Sequence, residues 1–376
     1  MLNTTFKTVV SEYGVGIEAK STFSLRIEME ALKSQEILGF GFGIDALLAR
    51  FASEGETIER STWQYGALWN SAYFTYDELF LPENVSLLFS KEDKKEIMQL
   101  PSFCYGGEDS KGKVLSIPSK ALFFYPKWKQ FGNQHSVTTG WAFHSTKREA
   151  LAQGYREVIE RDLQMLFWHD RLGEYLTLLP QHRGNKYLEV YGKPSVTGSK
   201  FYLLQMPLKL HNTIHDKGYF TLVVQLSEEA PYVTMGSAVK ESEYDSFHSA
   251  MGELIVLRAY QYEMLLTNLN NTDKFSFESH IAKAIYEKSI RDKIEKILTK
   301  IAKSGSKILD YSHNDYQVVY LNPPPETRKG VVAKVWIDNT QGITPAGFKY
   351  KVCSHWKKVW KMTQREWQEN IWHPYP

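Results

Sequence analysis

Two short strings in this chain carry the residues best suited to chemistry. Glu-Thr-Ile-Glu-Arg at 56–60 recurs, with one change, as Glu-Val-Ile-Glu-Arg at 157–161. On a helix, positions three and four apart are neighbours. Glu56, Glu59 and Arg60 would therefore line one stripe, and Glu157, Glu160 and Arg161 another. Brought together, the stripes offer four carboxylates and two guanidiniums. Carboxylate oxygens are hard ligands for Mg²⁺, and a guanidinium fork grips phosphate. The chemistry suggested is a divalent cation held against the phosphates of a nucleotide. A lone Glu-x-x-Glu-Arg is also ordinary helix surface, where such an ion pair contributes roughly 0.2–0.5 kcal/mol and needs no ligand. The duplication, and the segment preceding each copy, favour the site reading.

Helices must position these acids, and the flanking sequence supplies them. The first copy closes an amphipathic stretch over 44–63, with Ala46, Leu47, Phe51 and Ile58 as its apolar face. The second lies in a long helix over 145–172, which Ser145 or Thr146 can cap with Glu149 as the reciprocal carboxylate. A third helix over 245–266 carries Glu253 inside an apolar run. Residues 201–210, 219–226, 232–239 and 331–337 read as strands rich in β-formers. Residues 114–126 read as a strand, a proline break and a second strand. Short strands and turns are expected over 1–30, irregular aromatic-rich chain over 64–110, a loop over 322–330, and a helix with a solvated Lys/Glu stripe over 278–303. Gly39, Gly41 and Gly43 read first as a tight turn and second as a phosphate loop. His135 and His144 flank the loop before the second motif and read as surface or packing residues. His169 reads as structural.

The 376 residues carry 45 Lys+Arg against 43 Asp+Glu, a net charge of +2. That balance lacks a polycationic footprint, so nucleic acid is not the expected partner. A 43% hydrophobic and 23% charged composition is that of a soluble globular protein. Cys104 and Cys353 are too few and too far apart for a zinc site or a disulfide framework, which points to a reducing compartment. The N-terminus lacks a signal-peptide pattern and no apolar run is long enough to span a bilayer, so a cytoplasmic protein without membrane attachment is expected. The motif-bearing segments are spread along the chain with no low-complexity linker. The fold expected is therefore α/β (α+β), a single large domain over 1–376 with β-sheets flanked by helices.

The string TTGWAFHSTKREALAQGYREVIERDLQMLFW (138–168) resembles the YcaO family, whose members carry a Ser/Thr-x-Gly-x-Ala loop, a Glu-Ala helix start and then Glu-x-x-Glu-Arg-Asp. GFGIDALLARFASEGETIER (41–60) is similar to the family's first glycine-bearing motif, and GSAVKESEYDSFHSAMGELIVLR (236–258) to the segment presenting one more Glu. The SIPSKALFFYP segment sits where members have an Ile/Val-Pro strand. The resemblance runs in order through residues 40–260. It implies an ATP- and Mg²⁺-using enzyme acting on peptide backbone amides, its site between the helices that carry the two motifs. Residue by residue, it assigns Glu56, Glu59, Glu157, Glu160 and Glu253 to magnesium and nucleotide, and Arg161 to phosphate. Three positions depart from the pattern. Ala52 stands where many members have Ser, Ser249 where a polar or cationic side chain is common, and Val256 where Gln is common; secondary nucleotide contacts are therefore in doubt.

In the azoline-forming members, a Cys, Ser or Thr side chain of a precursor peptide attacks the preceding carbonyl, and ATP phosphorylates the resulting oxygen. Those members tend to end in a proline-rich tail. Residues 370–376 here end His373-Pro374-Tyr375-Pro376, which implies a stiff tail placing the Pro376 carboxylate as a general base. The resemblance further implies a precursor peptide substrate, an E1-like leader-binding partner protein and a flavin-dependent azoline dehydrogenase, with a homodimer also open. Thioamide- or amidine-forming chemistry is the alternative within the family. A non-catalytic nucleotide-binding scaffold subunit of a peptide-modifying complex is the alternative from a different class, and a metal-dependent phosphatase or nuclease built from the same acids is a third.

Overall fold

Strand-forming runs organise the chain into three sheets, between and around which the helices pack. The computed structural model describes residues 2–11, 14–25, 35–43, 46–75, 79–82, 102–123, 139–179, 199–266, 286–301, 307–325, 327–341 and 351–369. In the first sheet, β1 (Leu2–Ser11), β2 (Gly14–Leu25) and β3 (Gln35–Gly43) form an antiparallel meander. Helix α1 (Ala46–Tyr65) lies directly on it. The contact is very close. A Cβ on Gly39 would stand 2.5 Å from the Ser53 carbonyl oxygen, and one on Gly41 would stand 2.3 Å from that of Ala49. These glycines therefore sit in a strand that presents bare backbone to a helix. They form neither the tight turn nor the phosphate loop expected of them.

The same contact inverts the expected face of α1. Ala49, Ser53, Thr57 and Ser61, spaced four apart, are buried against the sheet, whereas Leu47 and Phe51 point outward at 58% and 43% exposure. Small hydroxyl side chains suit so narrow a gap because they bond back to the backbone. Thr57 Oγ1 donates to the Ser53 and Ser21 carbonyls at 2.7 and 3.1 Å. Of the expected apolar face, Ile58 is buried.

A second sheet runs β11 (Val233–Lys240), β10 (Lys217–Ser227), β9 (Ser199–Lys209) and β12 (Leu309–Asp310), with β8 (Thr177–Leu178) also paired to β9. Its period-two alternation serves two helical layers. Leu203, Val223 and Ala238 face helix α4 (Glu243–Leu266), where Phe247, Met251 and Leu254 meet them. Leu204, Leu222, Val224 and Met235 belong to the largest core, with helices α3 (Lys147–Trp168) and α5 (Lys288–Ile301). Both faces are covered, which is why β10 and β11 are buried along nearly their whole length, their polar Thr221, Gln225, Thr234 and Ser237 included.

The third sheet follows the order β4 (Tyr73–Thr75), β5 (Ser102–Asp109), β13 (Tyr316–Leu321), β14 (Val331–Ile337) and β7 (Trp141–His144), with β6 (Val114–Pro118) paired to β5. Ala333 and Val335 join the core around α3, while Val332 and Trp336 join a second core with Ile58 of α1. After Pro118 the chain forms a short helix, α2 (Ser119–Leu122), where a second strand was expected. The segment expected to be irregular contains β4 and β5. Two short helices near the C-terminus, α6 (Ser354–Val359) and α7 (Gln364–Glu369), were not foreseen. The fold class is the expected mixture of α and β. Among the described residues, no helix is long and apolar enough to cross a membrane.

Candidate functional site

Helices α1, α3 and α4 each bring acidic side chains to one place, and strands supply the groups that hold them. Thr146 caps α3, accepting from the Glu149 backbone N–H at 3.2 Å. The Glu149 carboxylate answers the Ser145 and Thr146 hydroxyls, 2.8 Å from each. This fixes where α3 starts, and with it the phase of Glu157, Glu160 and Arg161.

Each of four half-buried glutamates is tied to one backbone N–H. Glu59 accepts from Phe143 of β7 at 2.8 Å, and Glu157 accepts from Gly140 in the turn just before that strand. Glu160 accepts from Val239 of β11. Glu253 accepts from Ser237 on the same strand at 2.7 Å. The turn before β7, β7 itself and β11 of a different sheet thus supply these N–H groups. Ser237 also joins the helices, since its hydroxyl donates to Glu160 at 2.8 Å. Gln164 extends the network, donating to the Ser237 hydroxyl at 2.6 Å and accepting from Arg161 at 3.2 Å.

Glycine makes two of these contacts possible. At Gly140 the backbone is left-handed, with φ +82°, and a Cβ would stand 2.3 Å from the Val335 carbonyl oxygen. At Gly236 a Cβ would stand 2.2 Å from the Ala250 carbonyl oxygen, so α4 can press directly onto β11.

Crowded carboxylates in a partly dry setting resist ionisation. Burial pushes Glu157 up to about 7, with Glu160 adding to the effect and Arg161 opposing it. Burial and Glu160 likewise raise Glu253 to about 7. Glu59 is held well above its ordinary value by burial and by Glu157, and burial raises Glu160. Burial opposes the charge of Arg161, yet Glu253, Glu160, Glu157 and Glu56 together hold its pKa above the ordinary value. This arginine is the positive centre of the acidic group.

The two motif arginines are not equivalent. Arg60 is 41% exposed and pairs with Glu56 of its own helix at 2.5 Å, the ordinary helix-surface interaction. Arg161 is 19% exposed and lies 4.0 Å from Glu157. Glu56 stands at the rim, where its charge still acts on Glu59 and Arg161. Ser53 is not available as a substitute for Ala52, because its hydroxyl is buried against Ser21 at 2.8 Å. Ser249 is exposed and Val256 half-buried. His144 is an exposed residue 2.7 Å from Glu149, and His135 lies outside the described residues. Pro376 and the whole 370–376 tail also lie outside them.

Sequence reasoning missed Ser237, Gln164 and Lys334, together with the N–H groups of Phe143, Gly140 and Val239. Lys334 of β14 is buried, and its Nζ donates to the Thr139 carbonyl oxygen at 2.5 Å. Burial lowers its pKa to about 7, and Glu157 opposes that shift. A lysine within the apolar run VVAKVWI was the visible signal.

The donor set suits Mg²⁺. Its potential ligands are hard carboxylate oxygens, and each of the four glutamates has at least one hydrogen bond fixing its direction. Among the described residues, no three acids, histidines or cysteines form a ready single-ion cage. Mg²⁺ is commonly held by one or two carboxylates completed by substrate phosphates and water, not by an all-protein cage.

Fold and site together define an α/β protein in which half-buried acids from three helices surround one arginine, a donor set of the kind that can hold a divalent cation against phosphate. A family model described as YcaO cyclodehydratase, ATP- and Mg²⁺-binding, matches residues 40–321, and the chain belongs to this family. Among solved structures, YcaO from Methanopyrus kandleri bound with AMPPCP and Mg²⁺ matches at 16% identity and TM-score 0.53, covering 90% of this chain and 85% of that one. A chain of the E. coli microcin synthetase McbBCD complex with pro-MccB17 bound matches at 13% identity and TM-score 0.62, covering 90% and 88%. A heterocyclase in complex with substrate and cofactor matches at 12% identity and TM-score 0.58, covering 93% of this chain and 52% of that one. These likenesses establish the fold. No curated protein sequence matches the chain.

Proposed function

We propose that this protein is an ATP-dependent peptide cyclodehydratase that converts Cys, Ser or Thr of a precursor peptide to thiazoline or (methyl)oxazoline, and that residues 1–376 act as one catalytic domain. The observation that carries this reading is the convergence of Glu59, Glu157, Glu160 and Glu253 around Arg161, each acid fixed by a backbone N–H. Such fixed carboxylates suit Mg²⁺, which when bound would neutralise phosphate charge during phosphoryl transfer. Arg161, whose guanidinium fork matches phosphate geometry, is our candidate for the phosphate contact, with Glu56 at the rim of the same field.

In the proposed reaction, the side chain of a Cys, Ser or Thr attacks the carbonyl carbon before it. The former amide oxygen then takes the γ-phosphoryl group of ATP, releasing ADP. Loss of that oxygen as phosphate, with the amide proton, leaves the C=N bond of the azoline. An amide oxygen is a very poor leaving group, and phosphorylation makes it a good one. A proton must leave during ring formation, and the Pro376 carboxylate is our candidate base. The multisubunit microcin synthetase, seen with pro-MccB17 bound, supports a precursor peptide substrate and an E1-like or other leader-binding partner protein. A flavin-dependent dehydrogenase would act on the azoline product.

The test replaces Glu157 or Glu160 with Gln, which keeps size and removes charge. We expect ATP turnover to fall at least about a hundredfold, with the circular dichroism spectrum and unfolding midpoint unchanged. Wild-type turnover in either variant would remove the site assignment. Mass spectrometry should show the loss of one water per modified residue.

A further inference from the structure

The strand β14 is apolar except for one cation beneath the site. Its neighbours Val332, Ala333, Val335 and Trp336 are buried hydrophobic residues, and Lys334 lies among them at 2% exposure. A buried ammonium is costly relative to water unless its surroundings answer it, and an aliphatic side chain would fill the same space without that cost. The contacts of Lys334 show where its charge is used. Nζ lies 5.8 Å from the centre of the Trp141 ring and 5.4 Å from that of Trp336. These rings are its partner across the β7–β14 ladder and its neighbour two residues along the strand. Nζ also donates to the Thr139 carbonyl oxygen. The next residue of the strand, Val335, donates its N–H to the Gly140 carbonyl oxygen at 2.8 Å. Two successive residues of β14 thus grip two successive carbonyls of the turn whose Gly140 N–H holds Glu157.

We propose that Lys334 is a positioning residue for the metal–nucleotide site, locking the Thr139–Gly140 turn so that Gly140 aims Glu157. This rests on the reading of Glu157 as a metal-binding acid. The turn needs such a lock. Gly140 is left-handed and glycine has no side chain, so nothing of its own fixes the turn in place. The Val335–Gly140 bond sets the distance of the turn from β14, and the Lys334–Thr139 bond prevents the peptide before it from rotating. Partners that orient metal ligands in this way alter metal affinity by about 10- to 100-fold when removed. Trp141 and Trp336 in turn fix the direction of the ammonium group.

The experiment compares Lys334→Met, which fills the space but has no donor, with Lys334→Gln, which keeps a donor for the Thr139 carbonyl. Binding of a fluorescent ATP analogue and ATP turnover are measured as Mg²⁺ is titrated, with circular dichroism as the folding control and Glu157→Gln as reference. We expect Lys334→Met to need roughly tenfold more Mg²⁺ for half-maximal activity, with kcat at saturating Mg²⁺ little changed. Lys334→Gln should recover most of that loss. A folded Lys334→Met with wild-type Mg²⁺ dependence, beside a Glu157→Gln that has lost binding, overturns this proposal and leaves the nucleotide site standing. If both Lys334 variants fail to fold, the lysine serves the core and the proposal is overturned. Absence of Mg²⁺-dependent ATP binding in the wild type would remove the nucleotide reading and this one with it.

Discussion

Single residues decide how this site is held and where the chain is vulnerable. His169 follows the last turn of α3, with its ring stacked on Trp367 at 5.2 Å and edge-on to Trp356 at 6.2 Å. It is 5% exposed, and neither ring nitrogen has a hydrogen-bond partner among the described residues. Burial, helped by the Lys293 and Arg171 charges, lowers its pKa from 6.5 to about 3. Between those values the unfolded chain binds a proton that the folded chain refuses, so stability falls as the pH drops. From about pH 6.5 to about pH 5 this one group should remove about 2 kcal/mol. His169→Phe keeps the ring stack and should flatten that part of the profile, as read by urea unfolding at a series of pH values. An equally steep profile in the variant would place the acid sensitivity elsewhere. The sequence marked His169 as structural, but its cage comes from tryptophans nearly two hundred positions away that no local pattern connects to it. The asymmetry of Arg60 and Arg161 was likewise hidden, because two nearly identical motifs occupy different depths.

At the scale of elements, the positions of the long helices were legible, whereas the three short helices and the buried face of α1 were not. The second-motif helix, expected over 145–172, occupies Lys147–Trp168, and β14 matches its expected span. Helix α1 also forms where its periodicity put it, yet it buries its small-residue stripe and exposes Leu47 and Phe51. Hydrophobic periodicity assumes that the largest apolar residues face the core, whereas backbone-to-backbone packing on Gly39 and Gly41 selects the smallest. The same device joins α4 to β11 at Gly236, beside the Ser237–Glu253 hydrogen bond. Gly236→Ala must push the helix away from the strand, since the obstructing atoms are backbone. We expect a loss of at least about 2 kcal/mol of stability, measured by chemical denaturation. ATP binding should weaken with it, because Ser237 and Glu253 move apart. Unchanged stability would mean that the contact yields without consequence.

At the scale of the whole molecule, the segment over 351–369 fastens the end of the chain to the motif-bearing helix. Asp162, next to Arg161, is buried and accepts from Trp356 Nε1 at 3.0 Å, from the Gln341 N–H at 2.5 Å and from the Tyr311 hydroxyl at 2.8 Å. Trp356 and Trp367 belong to the largest core. Two truncations should therefore behave differently. Removing everything after residue 350 takes both tryptophans from that core, and a buried tryptophan alone contributes about 3–5 kcal/mol relative to Ala, so soluble folded protein should be lost. Deleting only Pro374–Pro376 should strongly slow peptide modification, with less effect on nucleotide binding. An unchanged product profile in the short deletion would end the role assigned to Pro376.

By itself the sequence determined the acids, their helical spacing and the mixed α and β class, because these follow from local periodicity and from residue chemistry. It also carried the family likeness, which the family match over residues 40–321 established. Only the tertiary structure decided which groups aim the acids. The N–H groups of Phe143 and Gly140 serve Glu59 and Glu157, and those of Val239 and Ser237 serve Glu160 and Glu253. A backbone N–H is common to every residue except proline, so its use leaves no mark in the sequence. Its direction is set by strand pairing and helix docking between distant segments, and that arrangement exists only in the folded chain.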